Sequence, residues 1–252
     1  MKKILIIYLF ITILISCTKK SNDKPSTSNS CGDNPSINFK SKGTNIGVFK
    51  DCVQDVDGNI YKTVMIGNQL WMAENLKVSK YNDGTIITNI KDENQWANTL
   101  SGAWCYYNND SIYNTKYGKL YNWYAVSKTT NGNKNVCPVG WHVPDLKEWY
   151  VLEGVLGGYQ IAADLMREID SSSWNSGNEN ATNTSLFTGL PSGIHGYQGF
   201  YYLNEATYWW TSTDYDTDRA PSQVISVGDG SSMVGTNATG KSGGFSVRCM
   251  KD

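Results

Sequence analysis

The fold is decided by the stretch Cys137-Pro138-Val139-Gly140-Trp141-His142-Val143-Pro144-Asp145-Leu146-Lys147-Glu148-Trp149. Asp145, directly after Pro144, predicts a helix N-cap, and Glu148 three residues later completes the spacing of a capping box. Gly157-Gly158 predicts the end of that helix. The stretch therefore predicts a strand or tight turn that closes at Pro144 and is followed by an amphipathic helix. Its apolar side chains recur at helical spacing on one face: Leu146, Trp149, Leu152 and Leu156.

The last residues of the chain supply a second anchor. In the segment 243–249, Phe245, Val247 and Cys249 alternate with Ser246 and Arg248. Alternation with a period of two residues is typical of a strand with one buried face. The segment therefore predicts a half-buried strand that closes the domain.

The first residues predict an export signal with a lipid attachment site. Lys2 and Lys3 precede the apolar run 4–15, which is too short to span a bilayer comfortably. The run ends in Leu14-Ile15-Ser16-Cys17, which resembles a bacterial lipobox. That resemblance implies cleavage after residue 16, acylation of Cys17 and an anchored protein. An ordinary secretory peptide or a membrane anchor is the alternative.

Charge and composition favour an extracellular domain that does not bind nucleic acid. Residues 1–16 contain two of the 22 basic side chains, so the remaining chain carries 20 basic and 23 acidic residues without a basic block. A nucleic-acid partner is therefore not expected. Charged residues are only 18%, while Tyr (16) and Trp (9) are abundant, which suits a domain rich in loops and aromatic contacts.

The six cysteines fit a compartment in which disulfides form. With Cys17 assigned to lipid, an odd number remains, so at least one cysteine is free or pairs elsewhere. Cys31 either stays unpaired or is bonded to Cys52. Because there is no CxxC motif and the only histidines are His142 and His195, we expect no zinc or catalytic Cys/His centre and no metal site.

The chain is predicted to comprise a signal peptide (1–16), a lipidated cysteine with a flexible tether (17–50) and one domain (51–252). A first strand is predicted around residues 46–49, within the tether's end. In the domain, residues 60–66 alternate as a strand after the turn 55–59. That Asp-x-Asp-Gly turn could suggest a calcium loop, but it lacks the later acidic ligand of an EF-hand, so a plain turn is preferred. The remaining predictions are a second short helix over 161–168, strands at 199–203, 208–213 and 224–227, and a hairpin tip over 228–242.

Several motifs then occur in an order that resembles a known family. They are Asp57-Gly58-Asn59-Ile60-Tyr61-Lys62-Thr63-Val64, Trp71-Met72-Ala73-Glu74-Asn75-Leu76, Tyr117-Gly118-Lys119-Leu120-Tyr121-Asn122-Trp123, the stretch 137–149, Tyr208-Trp209-Trp210-Thr211-Ser212-Thr213 and Gly244-Phe245-Ser246-Val247-Arg248-Cys249. Together they resemble the Fibrobacter succinogenes major paralogous domain, found in lipoproteins of Bacteroidetes and relatives, over about residues 51–252.

The resemblance implies a fold related to C-type lectin and formylglycine-generating-enzyme-like domains. The expected fold class is α+β, a C-type lectin-like domain with short antiparallel sheets, two helices and long loops. The resemblance also implies a disulfide between Cys137 and Cys249, because C-type lectin-like domains pair an early cysteine with one in the last strand. Relatives carry a partner for the cysteine equivalent to Cys105, but Asn114-Thr115-Lys116 stands at that place here.

An enzymatic function is not expected. Formylglycine-type oxidation uses closely placed thiolates to hold copper, and no second cysteine lies near Cys249. Serine-type chemistry could use His142 or His195, yet His142 is more simply explained as a structural histidine bonded to backbone. The expected protein is a non-enzymatic cell-envelope lipoprotein, in the outer membrane and facing the periplasm or the cell exterior, with a ligand-binding or adhesion domain.

The ligand is expected to be a carbohydrate or a surface protein, bound by late loops. A calcium lectin would use oxygen ligands such as Asn204-Glu205 and the acidic run 214–218, but the spacing does not reproduce the lectin motif. Calcium therefore stays a minor alternative, and no other cofactor is expected. The Tyr-, Ser-, Asn- and Gly-rich loops also suit a diversified display scaffold that binds proteins. Adjacent tryptophans in a strand face opposite sides, so at most one can meet a ligand. The predicted binding residues are Trp209, Trp210, Asp214, Tyr215, Asp216 and Asp218.

Overall fold

The computed structural model describes residues 41–170, 172–175, 177–228 and 231–252. Cys17 and Cys31, with the predicted signal peptide and most of the predicted tether, lie outside these residues. In the described part the chain is α+β, with helices and three sheets. No helix found there is long and apolar enough to cross a membrane.

The first sheet brings both ends of the domain together. Its strand order is β1-β2-β3-β13-β7, and all its pairings are antiparallel. The short last strand lies between a strand from the beginning of the domain and one from the 137–149 stretch. The strands are β1 (Val48–Gln54), β2 (Ile60–Ile66), β3 (Gln69–Met72), β7 (Trp141–His142) and β13 (Met250–Lys251).

The second sheet, in the order β12-β11-β10-β8-β9, is dominated by a long hairpin. The strands of that hairpin pair in continuous antiparallel register from Arg219↔Gly240 to Gly228↔Ser231. The sheet is not purely antiparallel as expected, because β8 and β10 pair in parallel. Its strands are β8 (Ser192–Gly196), β9 (Gly199–Leu203), β10 (Ala206–Trp210), β11 (Arg219–Gly228) and β12 (Ser231–Gly240).

A third, small sheet and the helices complete the layers. The third sheet has the order β4-β5-β6, and its first pairing is parallel. Its strands are β4 (Thr88–Asn89), β5 (Ala103–Cys105) and β6 (Leu120–Tyr121). The helices are α1 (Glu93–Asn98), α2 (Ile112–Tyr117), α3 (Trp123–Val126), α4 (Leu146–Val155) and α5 (Tyr159–Met166), with a 3-10 turn at Tyr107–Asn109.

The predicted helix after Pro144 is confirmed as α4. Asp145 accepts the backbone N–H of Glu148, and the Glu148 carboxylate accepts the backbone N–H of Asp145, so the capping box is complete. Trp149 and Leu152 are fully buried on its inner face. The box satisfies amides that the helix leaves without partners, which is why the chain turns into helix at this residue.

The predicted Cys137–Cys249 disulfide is confirmed, with a Cα–Cα distance of 5.9 Å. Cys52 is also disulfide-bonded, and Cys31, expected either to be unpaired or to bond to Cys52, lies outside the described residues. Cys105 is a buried free thiol.

Three further sequence predictions are corrected. Two helices were expected, whereas the described residues contain five, because α1, α2 and α3 are too short to leave a periodic apolar pattern. The hairpin tip expected over 228–242 is mostly strand β12. The expected strand 245–249 forms only isolated bridges and is buried on both sides, because Ser246 and Arg248 bond inside the core. At the end of the predicted tether, the backbone N–H groups of Lys42, Ile46 and Gly47 donate to carbonyls of the 182–184 segment.

The core consists of clusters on both faces of the central strand β10. Trp209 packs on one side with Trp149 and Phe187, while Trp210 packs on the other side with Phe245. Each indole N–H is satisfied inside the protein, the first by the Asn75 side chain and the second by a backbone carbonyl. The alternation of side chains along a strand therefore places these tryptophans in two different cores.

Candidate functional site

A groove of about 550 Å³ opens where α1, the turn between β8 and β9, and the end of β12 meet. We call it the Glu93 groove. Glu93, Asn94 and Asn98 form one wall, and Tyr197 and Gln198 form the opposite wall. Thr239, Gly240, Ser242 and Gly243 close a third side, and the buried rings of Trp96 and Phe245 lie at its base with Ile194. A volume of this size is typical of small-molecule sites.

The wall formed by α1 is held against the last segment of the chain. Asp92 caps the helix by accepting the N–H of Gln95 at 2.8 Å. The indole N–H of Trp96 donates to the carbonyl of Ser242 at 2.7 Å. These bonds fix the direction in which Glu93 and Asn94 leave the helix, so the wall has a defined shape.

The opposite wall is a tight turn that exposes an aromatic ring. Tyr197 is 80% exposed, and Gln198 has a positive φ of 62° that reverses the chain. The hydroxyl of Tyr201 donates to the carbonyl of Tyr197 at 2.9 Å. A fixed turn with an exposed ring offers contact area at a small cost in conformational entropy.

A buried chain of polar side chains runs from the core to the groove. The Nδ1 atom of His195 lies 3.6 Å from the Cys105 sulfur, and its Nε2 atom lies 2.9 Å from a carboxylate oxygen of Glu93. Cys105 and His195 are buried, whereas the Glu93 side chain is 43% exposed at the groove. We call this the Cys105–His195–Glu93 chain.

Aromatic rings clamp the imidazole in place. His195 stacks on Phe200 with 4.3 Å between ring centroids, and Trp96 lies against it at 4.6 Å. Gly244 exchanges two backbone hydrogen bonds with His195. A Cβ atom at Gly244 would come within 2.7 Å of the His195 Cβ and 2.9 Å of the Trp96 ring, so glycine is needed there.

Burial determines the charge states of the Cys105 thiol and the His195 imidazole within the Cys105–His195–Glu93 chain. It raises the pKa of the Cys105 thiol well above its ordinary value, with a further contribution from Glu93. It lowers the pKa of His195, although the hydrogen bond to Glu93 acts in the opposite direction. The stable form is therefore a thiol beside a neutral imidazole. A neutral thiol is a poor nucleophile, so this arrangement is not an activated cysteine.

The binding residues predicted from the sequence do not come together as a site. Trp209 and Trp210 are both 0% exposed, so the expectation that one of them meets a ligand is wrong. The strand that carries them has neighbouring strands on both sides and core clusters on both faces. Of the predicted aromatic candidates only Tyr215 is exposed, and the Arg219 guanidinium lies 5.4 Å from its ring centroid.

The predicted acidic loop is held by cations of the protein itself. Asp214 forms an ion pair with Lys241 at 2.9 Å, and Asp216 forms one with Arg219 at 2.8 Å. Asp216 also accepts the backbone N–H groups of Asp218 and Arg219. Because Lys241 precedes the groove residue Ser242, this loop supports the third side of the Glu93 groove. The described residues contain no group of three His, Cys, Asp or Glu side chains arranged to hold a metal ion.

The other residues considered from the sequence have structural partners. Asp55 accepts from the N–H groups of Asp57 and Asn59 and from the Tyr61 hydroxyl, which confirms the turn interpretation of this segment. His142 bonds to the side chains of Glu148 and Asp252, not to backbone as expected. Asn204, considered for calcium, accepts from the hydroxyl of Tyr117 at 2.9 Å.

The residues of the Glu93 groove were largely missed by the sequence analysis. His195 was considered for catalysis, but Glu93, Asn94, Tyr197 and Gln198 carry no motif. The only local signals were the cap residue Asp92 before α1 and the Gly196–Gly199 turn around Tyr197.

The fold and the groove define an α+β domain, closed by a disulfide, with a partly apolar ligand-sized groove. The sequence model of the Fibrobacter succinogenes major domain matches residues 64–251, well over half of the chain. The protein therefore belongs to the Fibrobacter succinogenes major domain family, as the resemblance predicted. No curated protein and no solved structure matches the chain.

Proposed function

We propose that this protein is a non-enzymatic cell-envelope lipoprotein whose C-type lectin-like domain binds a saccharide in the Glu93 groove. The observation that carries the proposal is the groove itself. One wall presents the exposed ring of Tyr197, and the other presents a carboxylate and amides above an apolar base.

The chemistry of the groove suits a sugar ring. One face of a sugar is rich in C–H bonds and packs on an aromatic ring, while its hydroxyl groups need hydrogen-bond partners. Tyr197 supplies such a ring. Glu93 accepts hydrogen bonds, and the amides of Asn94 and Gln198 can both donate and accept them. Among the described residues, neither of these amide side chains has a hydrogen-bond partner within the protein.

The state of the buried thiol favours binding over catalysis. Cys105 is fully buried, and its sulfur does not line the groove. A substrate in the groove would meet Glu93, and the described residues that line the groove include no second carboxylate to share acid and base roles. Saccharide binding requires neither a reactive thiol at the groove nor a second carboxylate.

The lectin-like assignment and the location are also part of the proposal. The pairing of strands from the beginning and the end of the domain in one sheet is compatible with a C-type lectin-like fold. The Cys137–Cys249 disulfide agrees with the same resemblance. The lipobox at Cys17 supports an acylated protein held at the outer membrane.

A protein-binding or display function is the second candidate. Helices α4 and α5 contact each other and expose large apolar side chains, including Tyr150 at 50%, Val151 at 52% and Ile161 at 53%. Exposed apolar groups near one another are typical of protein contacts. This surface is separate from the residues that line the Glu93 groove.

A glycan array with the full-length protein in detergent tests the proposal. We expect saccharide binding that weakens about five- to thirtyfold in Tyr197→Ala, because loss of an aromatic platform removes roughly 1–2 kcal/mol. Tyr159→Ala, which changes a tyrosine 55% exposed on α5, is the matched control and should bind as the wild type does.

Other outcomes would contradict specific parts of the proposal. Binding lost in Tyr215→Ala but kept in Tyr197→Ala would place the ligand on the acidic loop. Binding lost in EDTA would revive calcium at the 214–218 segment. No binding to any saccharide would refute the proposal and favour the protein-binding candidate.

A further inference from the structure

Among the described residues that line the Glu93 groove, Glu93 carries the only charged side chain. In the part of the chain that the structure describes, no lysine, arginine or histidine lines its walls. A ligand in this groove therefore meets a single negative charge surrounded by amides, hydroxyls, backbone and aromatic rings. The inference below rests on the proposed saccharide-binding function and specifies the chemical class of the saccharide.

The Cys105–His195–Glu93 chain explains how this carboxylate is held. The Cys105 sulfur lies 3.6 Å from Nδ1 of His195, so its S–H can donate to Nδ1 when the imidazole carries its proton on Nε2, toward the accepting Glu93 carboxylate. The proton of the neutral imidazole then lies on Nε2 and donates to Glu93 at 2.9 Å. Since Trp96 and Phe200 fix the ring, the carboxylate has one oxygen bound and a defined orientation.

The charge of Glu93 is not cancelled by this contact. Burial lowers the pKa of His195, which keeps the imidazole neutral. No other hydrogen bond or ion pair to this carboxylate is found in the described part of the chain. Glu93 therefore faces the groove as an oriented anion with free acceptor capacity, partly shielded from water.

We propose that the Glu93 groove recognises a saccharide bearing a protonated amino group, such as a glucosamine unit, with the ammonium hydrogen-bonded to Glu93. A charge-assisted hydrogen bond of this kind is stronger than one between neutral groups. Anionic sugars are disfavoured by the same carboxylate, because the groove offers no cation to compensate them. The exposed ring of Tyr197 supplies the apolar contact for the rest of the sugar.

A matched pair of ligands tests this inference. Fully deacetylated chitosan oligosaccharides and fully acetylated chitin oligosaccharides share one backbone and differ in the charge of the nitrogen. Binding of each to the full-length protein is measured by calorimetry at two salt concentrations. We expect the deacetylated ligand to bind roughly tenfold more tightly, the low end for a charge-assisted bond because Glu93 is 43% exposed.

The variant Glu93→Gln removes the charge and keeps the size and the acceptor oxygen. It should bring the two affinities to within about twofold of each other, with the loss falling on the deacetylated ligand. Glu179→Gln, which changes an exposed carboxylate that does not line the groove, should leave the preference unchanged. Higher salt should reduce the preference in the wild type.

Each other result overturns a distinct statement. Equal affinities in the wild type would refute amine recognition but leave saccharide binding in place. A preference that persists in Glu93→Gln would show that another group makes it, and the inference would fail. If neither ligand binds while other saccharides do, the inference alone fails. If no saccharide binds at all, both the inference and the proposed function fail.

Discussion

The Cys137–Cys249 disulfide should be the largest single contribution of a covalent bond to the stability of the described domain. The bond joins cysteines 112 residues apart, and both are fully buried. It holds the segment before β13, a strand of only two residues that lies between β3 and β7. Replacement of both cysteines by alanine removes the bond and leaves no unpaired thiol at the site.

The expected loss follows from the size of the closed loop. Closing a loop of this length lowers the entropy of the unfolded chain by an amount worth about 5 kcal/mol at 25 °C. For a domain of this size, each kcal/mol shifts the melting temperature by a few degrees, so we expect a decrease of roughly 10–20 °C. Strand β13 pairs with β3 and β7 over only two residues, so its backbone hydrogen bonds are too few to offset the loss of the disulfide.

Differential scanning calorimetry and guanidinium unfolding of Cys137→Ala/Cys249→Ala measure the effect. Cys105→Ala is the matched control, because it removes a buried sulfur without opening a loop, and it should cost no more than about 1–2 kcal/mol. A double variant destabilised by less than about 1 kcal/mol would refute the loop-entropy argument.

Two further predictions concern buried titratable groups. Cys105 should resist iodoacetamide at pH 8 in the native protein and react fully in denaturant, because burial raises its pKa; rapid native alkylation would contradict the thiol assignment. Burial lowers the pKa of Lys119, 4.0 Å from the Trp104 ring centroid, from 10.5 to about 8. Between these values the unfolded chain binds more protons on this lysine, so the free energy of unfolding should rise by about 2 kcal/mol from pH 8 to pH 10. The rise should be absent in Lys119→Met, with chemical denaturation below pH 10 as the assay; equal pH profiles would contradict the shift.

Elements whose geometry depends on residues that are close together in the sequence were predicted correctly. The capping box of Asp145 and Glu148 lies within four consecutive residues, so its geometry could be inferred without the fold. The strand Ile60–Ile66 alternates in sequence and also in burial. The disulfide was predicted from the family resemblance, not from spacing.

Predictions that required the tertiary environment failed. Trp209 and Trp210 were expected to offer one exposed ring, since a strand at a surface shows alternate faces. β10 instead lies inside its sheet with a core cluster on each face, so both rings are buried. A strand that is covered on both faces has an uninterrupted run of apolar residues in its sequence, and residues Tyr208 to Trp210 form such a run. The aromatic dipeptide was therefore a signal of burial.

The groove could not be inferred from the sequence because its parts are distant along the chain. Glu93 comes from a helix of six residues, Tyr197 from a turn, and the third side from the end of β12. They meet because Gly244 lets its backbone approach His195, and because Trp96 reaches the carbonyl of Ser242. Replacing Gly244 with a larger residue should therefore both open the groove and weaken the hydrogen bond from His195 that holds Glu93, since the same contacts establish both. The shape of the groove and the position of Glu93 thus depend on how the closing segment of the domain packs. No single sequence motif encodes that packing.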